Sequence, residues 1–331
     1  MDKRIKPYHE IYVNCYLNNF ISVLSSINTS YKQLLNINNY VYNSYRNLQT
    51  NNQALRIRYD LDIYLEAFNK LFGYLPNCKT LQDFLYGDIS FGTSLEAKSS
   101  NDIMRNLKSL LKDEGVIVFL AQDLFYLIQS NEMYYHKKHL THYSMFVDYN
   151  EGTHCFMVFE MGARGYNCYH VPEENVVQSF SHAADHPKCF YIKTPQKLDD
   201  YTLKTTNFKK YVPEIITSID SVQYTDALWK IPASADDYLS YIEGVSKIVN
   251  RQEANKRLLE SLSFERSEDS YYFGSLCTEL KKGWEWIKNI LIRAQFLGDK
   301  TKVEPCMQKS RILLNSEKVM WNKFLNCEVL K

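Results

Sequence analysis

Cys15 opens an apolar run with helical spacing: Leu17, Phe20, Val23 and Leu24. A helix N-terminus carries roughly +0.5 of an elementary charge, so a cysteine at its mouth is placed to become a thiolate. A thiolate paired with a base is a nucleophile. The base has to come from elsewhere in the chain. Segments 116–124 and 142–160 read as strands and bring His142 and several carboxylates. His142 starts one strand and Glu160 closes the next, so an antiparallel hairpin puts both at the same end of a sheet. Asp148 lies at the far end of His142's own strand, and a rise of about 3.3 Å per residue argues against direct contact. Cys15, His142 and Glu160 are therefore the candidate nucleophile, base and orienting acid.

The elements that must position these residues follow from the pattern along the chain. Residues 1–14 look extended, and 15–28 fit a helix with Asn14 as N-cap. The segment 40–70 reads as helical, with DLDIYLEAFNKLFGYL at three and four spacing and Gly73 as its end. Thr80 precedes another helical stretch, LQDFLYGD, and NDIMRNLKSLLKD at 101–113 is amphipathic, with Gly115 as stop. The pattern then changes to strands: VIVFLAQDL, then HYSMFVDYNEGTHCFMVFEM with a turn at Asn150–Glu151–Gly152, then CFYIKTP at 189–195. A polar connector over 197–211 leads to helical signal from Pro232 to Lys331. The fold class is α+β: a helical first lobe, an antiparallel sheet and a helical C-terminal region. The expected division is 1–200 for the core and 201–331 for the mainly helical remainder.

Composition narrows the function classes. Of 331 residues, 39 are Lys or Arg and 38 are Asp or Glu, so no basic excess suggests a nucleic-acid partner. The longest mainly apolar stretch, Gly115 to Ile128, is broken by Gln122 and Asp123 and is too short to span a bilayer. No signal peptide is read at the N-terminus, and the eight cysteines form no CxxC pair. The expectation is a cytoplasmic protein with free thiols, no membrane partner and no cofactor. His136, His139 and His142 are three apart, but they sit on a loop running into a strand with no matching acid or cysteine pair, so no metal is expected. Asp123 ends a buried strand, as a loop cap or as a contact for an amine. Trp284, Trp286 and Trp321 fit helix-packing stripes, and GARG at 162–165 is too short for a phosphate loop.

The order cysteine on a helix, then histidine and acid on a following sheet, resembles the papain-like cysteine enzymes. Within them the pieces VNCYLNNFISVL, VIVFLAQDLFYL, THYSMFVDYN and CFMVFEMG, with a helical tail containing KKGWEWIKNILIRA, resemble the butirosin-type acyltransferases (the BtrH family). That family's acid is usually Asp, so Glu160 is a departure. The resemblance implies a papain-like fold with an added C-terminal helical region. It also implies acyl transfer from an acyl or peptidyl carrier-protein thioester, through a Cys15 acyl-enzyme, to a small-molecule amine or diamine. Papain-like enzymes place an oxyanion-binding glutamine six residues before the cysteine; here that position is His9, and Asn14 and Asn18 are other donors within a turn. Two alternatives use the same chain differently: a peptidase or amidase with water as acceptor, and a binding protein whose Cys15 and His142 lie apart.

Overall fold

The computed structural model describes residues 5–46, 52–60, 64, 93–94 and 100–330, apart from 114, 130, 132–133, 163–164, 184–188, 203–205 and 299. Most of DLDIYLEAFNKLFGYL, with Gly73, and the whole of LQDFLYGD lie outside the described residues. In chain order come α1 (Cys15–Ile27), β1 (Tyr40–Arg46), β2 (Gln53–Tyr59), β3 (Thr93–Ser94) and α2 (Ser100–Leu111). Then follow β4 (Val116–Asp123), the single turn α3 (Leu124–Leu127), β5 (Thr141–Asn150), β6 (Cys155–Gly162) and β7 (Gly165–Pro172). The remainder is α4 (Glu173–Ser181), β8 (Cys189–Lys193), α5 (Thr206–Gln223), α6 (Ala235–Ser261), β9 (Ser263–Phe264), α7 (Ser267–Leu297), α8 (Val303–Asn326) and β10 (Val329–Leu330). The chain is mixed helix and antiparallel sheet, an α+β protein. It divides into two compact units, residues 1–32 with 61–201, and residues 33–60 with 202–331.

The first unit is built on a six-stranded sheet in the order β3-β8-β4-β5-β6-β7. All eight residues of β4 are buried, which is why VIVFLAQD reads as a continuous apolar run rather than an alternation. Val116, Val118 and Leu120 of β4 and Phe146, Phe156 and Val158 of β5 and β6 pack on Ile103, Met104 and Leu107 of α2 and Val176 and Phe180 of α4. Phe119 meets Phe20 of α1 at 5.4 Å between ring centres. Helix α1 is set by local chemistry. Asn14 caps it, its side chain accepting from Leu17 N at 2.9 Å, and Leu17, Phe20, Ile21 and Leu24 bury one stripe completely. Gly115 adopts φ +84° between α2 and β4, a conformation that strains any residue with a Cβ.

The second unit joins the β1–β2 hairpin to α5–α8. Here the helical reading of 40–59 is corrected: Tyr40 to Arg46 and Gln53 to Tyr59 pair antiparallel, Tyr40 opposite Tyr59 and Tyr42 opposite Ile57. The burial of Tyr40 and Tyr42 with intervening half-exposed residues is the period-two signature of a strand. Helix α6 lies so close to β2 that a Cβ on Gly244 would fall 2.0 Å from the Leu55 carbonyl oxygen. The connector over 197–211 is also corrected, because helix α5 starts at Thr206. Phe208, Val212, Ile215 and Ile219 are all buried at helical spacing. Strand β7 and helix α4 are further elements that the sequence reading did not separate. The C-terminal helices fall where the 3.6-residue pattern put them, and α6 starts with a reciprocal capping box between Ser234 and Asp237.

Glu317 of α8 is fully buried in this unit and accepts hydrogen bonds from Tyr40 Oη, Tyr42 Oη (2.7 Å), Gln252 Nε2 and Trp321 Nε1 (3.3 Å). Arg251 is also buried in this unit, lies over the Tyr40 ring and donates to the carbonyls of Asn36 and Ile37, each at 2.8 Å. Burial pushes the Glu317 carboxyl above its ordinary range against the pull of its four donors. Among the described residues no helix is long and apolar enough to cross a membrane.

Candidate active site

Three elements of the first unit bring the candidate residues together. Cys15 is the first residue of α1, held there by the Asn14 cap. His142 is the second residue of β5, directly opposite Gln122 of β4. Glu160 lies near the end of β6, opposite Asn167 of β7. Pairing of β5 with β6 carries His142 and Glu160 to the same end of the sheet, with an irregularity between Phe146 and Asp148. The Cys15 sulfur, one His142 ring nitrogen and a Glu160 oxygen all lie within 4.8 Å of one another.

The order of contacts differs from a linear relay. Cys15 Sγ donates to Glu160 Oε1 at 3.3 Å, and His142 Nε2 stands 3.5 Å from Glu160 Oε2. The carboxylate thus touches both thiol and imidazole, rather than sitting behind the imidazole. It is itself held by two donors, Ser144 Oγ to Oε2 at 2.8 Å and the Met161 backbone N–H to Oε1 at 2.9 Å. Ser144 is two residues beyond His142, so the period of the strand puts it on the same face. Glu160 is 1% exposed, and a carboxylate so buried needs these partners.

Tyr12, which the sequence reading passed over, completes the surroundings of the thiol. Its hydroxyl lies 3.1 Å from Cys15 Sγ, and its ring packs on Tyr166 at 6.0 Å. The Tyr166 hydroxyl donates to Asn19 Oδ1 at 2.6 Å. Tyr12 stands three residues before Cys15, on the entry to the helix, and that spacing was the available signal. The other donors considered lie elsewhere or are already engaged. His9 is exposed, with Nδ1 3.2 Å from the Pro7 carbonyl. The Asn14 side chain serves as the helix cap. Asn18 is buried, accepting from Val13 N and donating to the carbonyls of Tyr8 and Ile11. Asp123 caps α3 and accepts from Phe125 N and Leu140 N, while its second oxygen is 2.7 Å from His139 Nδ1. His136, His139 and His142 do not converge, since His139 pairs with Asp123 and His142 with Glu160.

The electrostatics run against the thiolate that the helix terminus alone would favour. Burial first, then the Glu160 carboxylate, push the Cys15 thiol well above its usual range; the Tyr12 hydroxyl and the backbone N–H of Cys15 itself pull it down. The resting group is a protonated thiol with Glu160 beside its proton. Iodoacetamide should therefore modify Cys15 slowly at pH 7 and progressively faster as pH rises above 9, and faster at each pH in Glu160→Gln. A rate flat from pH 6 to 10, followed by peptide mass spectrometry, would contradict this electrostatic account.

No protein-family model matches the chain, and no curated protein matches it. The functional reading accordingly rests on the site. A buried thiol, an imidazole and a fixed carboxylate can perform nucleophilic acyl chemistry. The same three donor types are also ones that ligate a divalent cation.

Proposed function

We propose that the chain is a cysteine-dependent acyltransferase on a papain-like core, forming amides from acyl thioesters. The observation that carries this reading is the meeting of Cys15 at a helix N-terminus with His142 and Glu160 within 4.8 Å. In outline the chain resembles the amide synthetase of closthioamide assembly, and an acyl or peptidyl carrier protein is the proposed donor. The thiol proton passes to the Glu160–His142 pair as sulfur attacks the thioester carbonyl. The carrier thiol leaves with that proton, and Cys15 is left as an acyl-enzyme. A small-molecule amine then attacks the acyl carbon and gives up a proton to the same pair. The C–S bond breaks, the thiol regains its proton and the amide departs. The Tyr12 hydroxyl and the Cys15 backbone N–H are the donors beside the sulfur for the oxyanion formed in both halves.

Tyr12→Phe should lower kcat by about 10²-fold, the scale of one lost oxyanion donor, with little change in KM for the thioester. An unchanged kcat in steady-state assay would remove Tyr12 from the mechanism. The function itself is tested by intact mass after incubation with a series of acyl thioesters. The expected result is an acyl adduct on Cys15, discharged faster by a diamine than by water. Discharge by water alone would make the protein a hydrolase. The absence of any adduct across the series would refute the cysteine mechanism.

A further inference from the structure

We propose that Cys15, His142 and Glu160 form a site for Zn²⁺, and that the bound ion blocks the thiol reversibly. Ion binding follows from the donor set alone; the block rests on the acyl-transfer reading above.

In a linear relay the imidazole separates sulfur from carboxylate. Here Glu160 Oε1 reaches the sulfur at 3.3 Å and Oε2 the imidazole Nε2 at 3.5 Å, and one donor atom from each of the three residues falls within 4.8 Å of the others. A tetrahedral Zn²⁺ with bonds of about 2.0–2.3 Å holds its ligand atoms roughly 3.3–3.7 Å apart. Those two contacts run to different carboxylate oxygens, so with one ligating oxygen a single contact already has that separation, and the other two need a contraction of about 1.5 Å at most from the 4.8 Å bound. Among the described residues this is the one His, Cys, Asp and Glu group that converges in this way.

Donor chemistry selects the ion. A thiolate with an imidazole and a carboxylate suits Zn²⁺, whereas Mg²⁺ and Ca²⁺ prefer all-oxygen sets. Charge favours it as well. Zn²⁺ with a thiolate and a carboxylate is neutral, which suits Glu160 at 1% and Cys15 at 8% exposure. The carboxylate is already oriented by Ser144 Oγ and Met161 N, the kind of outer support that metal ligands carry. Three protein ligands leave a fourth position for water, and the Tyr12 hydroxyl lies 3.1 Å from the sulfur. On binding, the Cys15 S–H bond breaks, its proton goes to solvent, and an S–Zn bond forms. A sulfur so bound cannot attack a thioester.

The test uses the full chain after treatment with EDTA, titrated with Co²⁺ as the spectroscopic probe. The expected result is one equivalent bound, with a thiolate-to-cobalt band in the near ultraviolet and tetrahedral visible bands, both removed by Zn²⁺. Cys15→Ser should abolish the thiolate band, and Glu160→Gln should weaken affinity at least tenfold. Cys155→Ser and Cys168→Ser, at the half-exposed thiols, should leave the spectrum unchanged. A measurement on the wild type needs no variant to fold: Zn²⁺ should protect Cys15 from iodoacetamide at least tenfold. No thiolate band, a band that survives Cys15→Ser, or no protection would overturn the proposal. Acyl-adduct formation by the metal-free protein separates the two readings. An adduct without Co²⁺ binding keeps the transferase and rejects the ion. Co²⁺ binding without an adduct keeps the ion site and rejects the transferase. With both, Zn²⁺ should slow acylation at least tenfold and EDTA should restore it; acylation unaffected by bound Zn²⁺ would reject the block.

Discussion

Replacing Cys15 by alanine should cut acyl transfer by at least about 10³-fold, because removal of a nucleophile leaves only binding and oxyanion stabilisation. The variant should fold normally. The side chain lost is small, and α1 keeps its Asn14 cap and the buried stripe of Leu17, Phe20, Ile21 and Leu24. The change also takes a polar contact from Glu160 Oε1, but Met161 N still donates to that oxygen. Single-turnover mass spectrometry with an acyl thioester and a diamine checks the expectation, alongside far-ultraviolet circular dichroism. Residual transfer above a few per cent of wild type would mean that another group carries the acyl chain. Glu160→Gln distinguishes the roles around the sulfur. Since the thiol is in hydrogen-bond contact with Glu160 Oε1, the variant should slow the acylation half-reaction itself, by about 10²–10⁴-fold, the range of a lost general base.

The second large effect concerns stability. Glu317→Leu should destabilise the protein by about 3–5 kcal/mol, since several buried donors lose a partner at about 1–3 kcal/mol each. The hydroxyls of Tyr40 and Tyr42, the Gln252 amide and the Trp321 indole would lose their common acceptor in a place closed to water. Urea unfolding at fixed pH measures the loss; a change below about 1 kcal/mol would show that the donors find other partners. The pH dependence has a definite sign. The folded-state carboxyl of Glu317 titrates above its unfolded value, so its contribution is complete at low pH and declines as pH rises from about 4.5 through the folded value. Glu317→Gln, which cannot ionise, lacks that decline. Its deficit relative to wild type should be smaller at pH 8 than at pH 5.

The local elements of the site are legible without the structure because short-range rules govern them. Asn14 before Cys15, followed by an apolar stripe, defines a capped helix, and it forms as read. The β5–β6 hairpin is visible from its alternation and its Asn-Glu-Gly turn, where the Asn150 side chain accepts from the N–H groups of Gly152 and Thr153. Those rules placed His142 and Glu160 at one end of the sheet. The segment 40–59 failed the same treatment because tyrosine and asparagine fit either period. Pairing between β1 and β2, and the burial of Tyr40 and Tyr42 around Glu317, select the strand.

What only the tertiary structure decided is the arrangement around the sulfur. Sequence alone determined which residue types stand at a helix mouth and at two strand ends. It contains no term for the distance between them, since Cys15 and Glu160 are 145 positions apart and meet by packing. That packing puts the carboxylate between thiol and imidazole, brings the Tyr12 hydroxyl to 3.1 Å and commits Asn18 to backbone carbonyls. It also reverses the expected acidity of the thiol. The helix terminus is a local field readable from the pattern, whereas desolvation and the Glu160 charge exist only once the chain has closed over them.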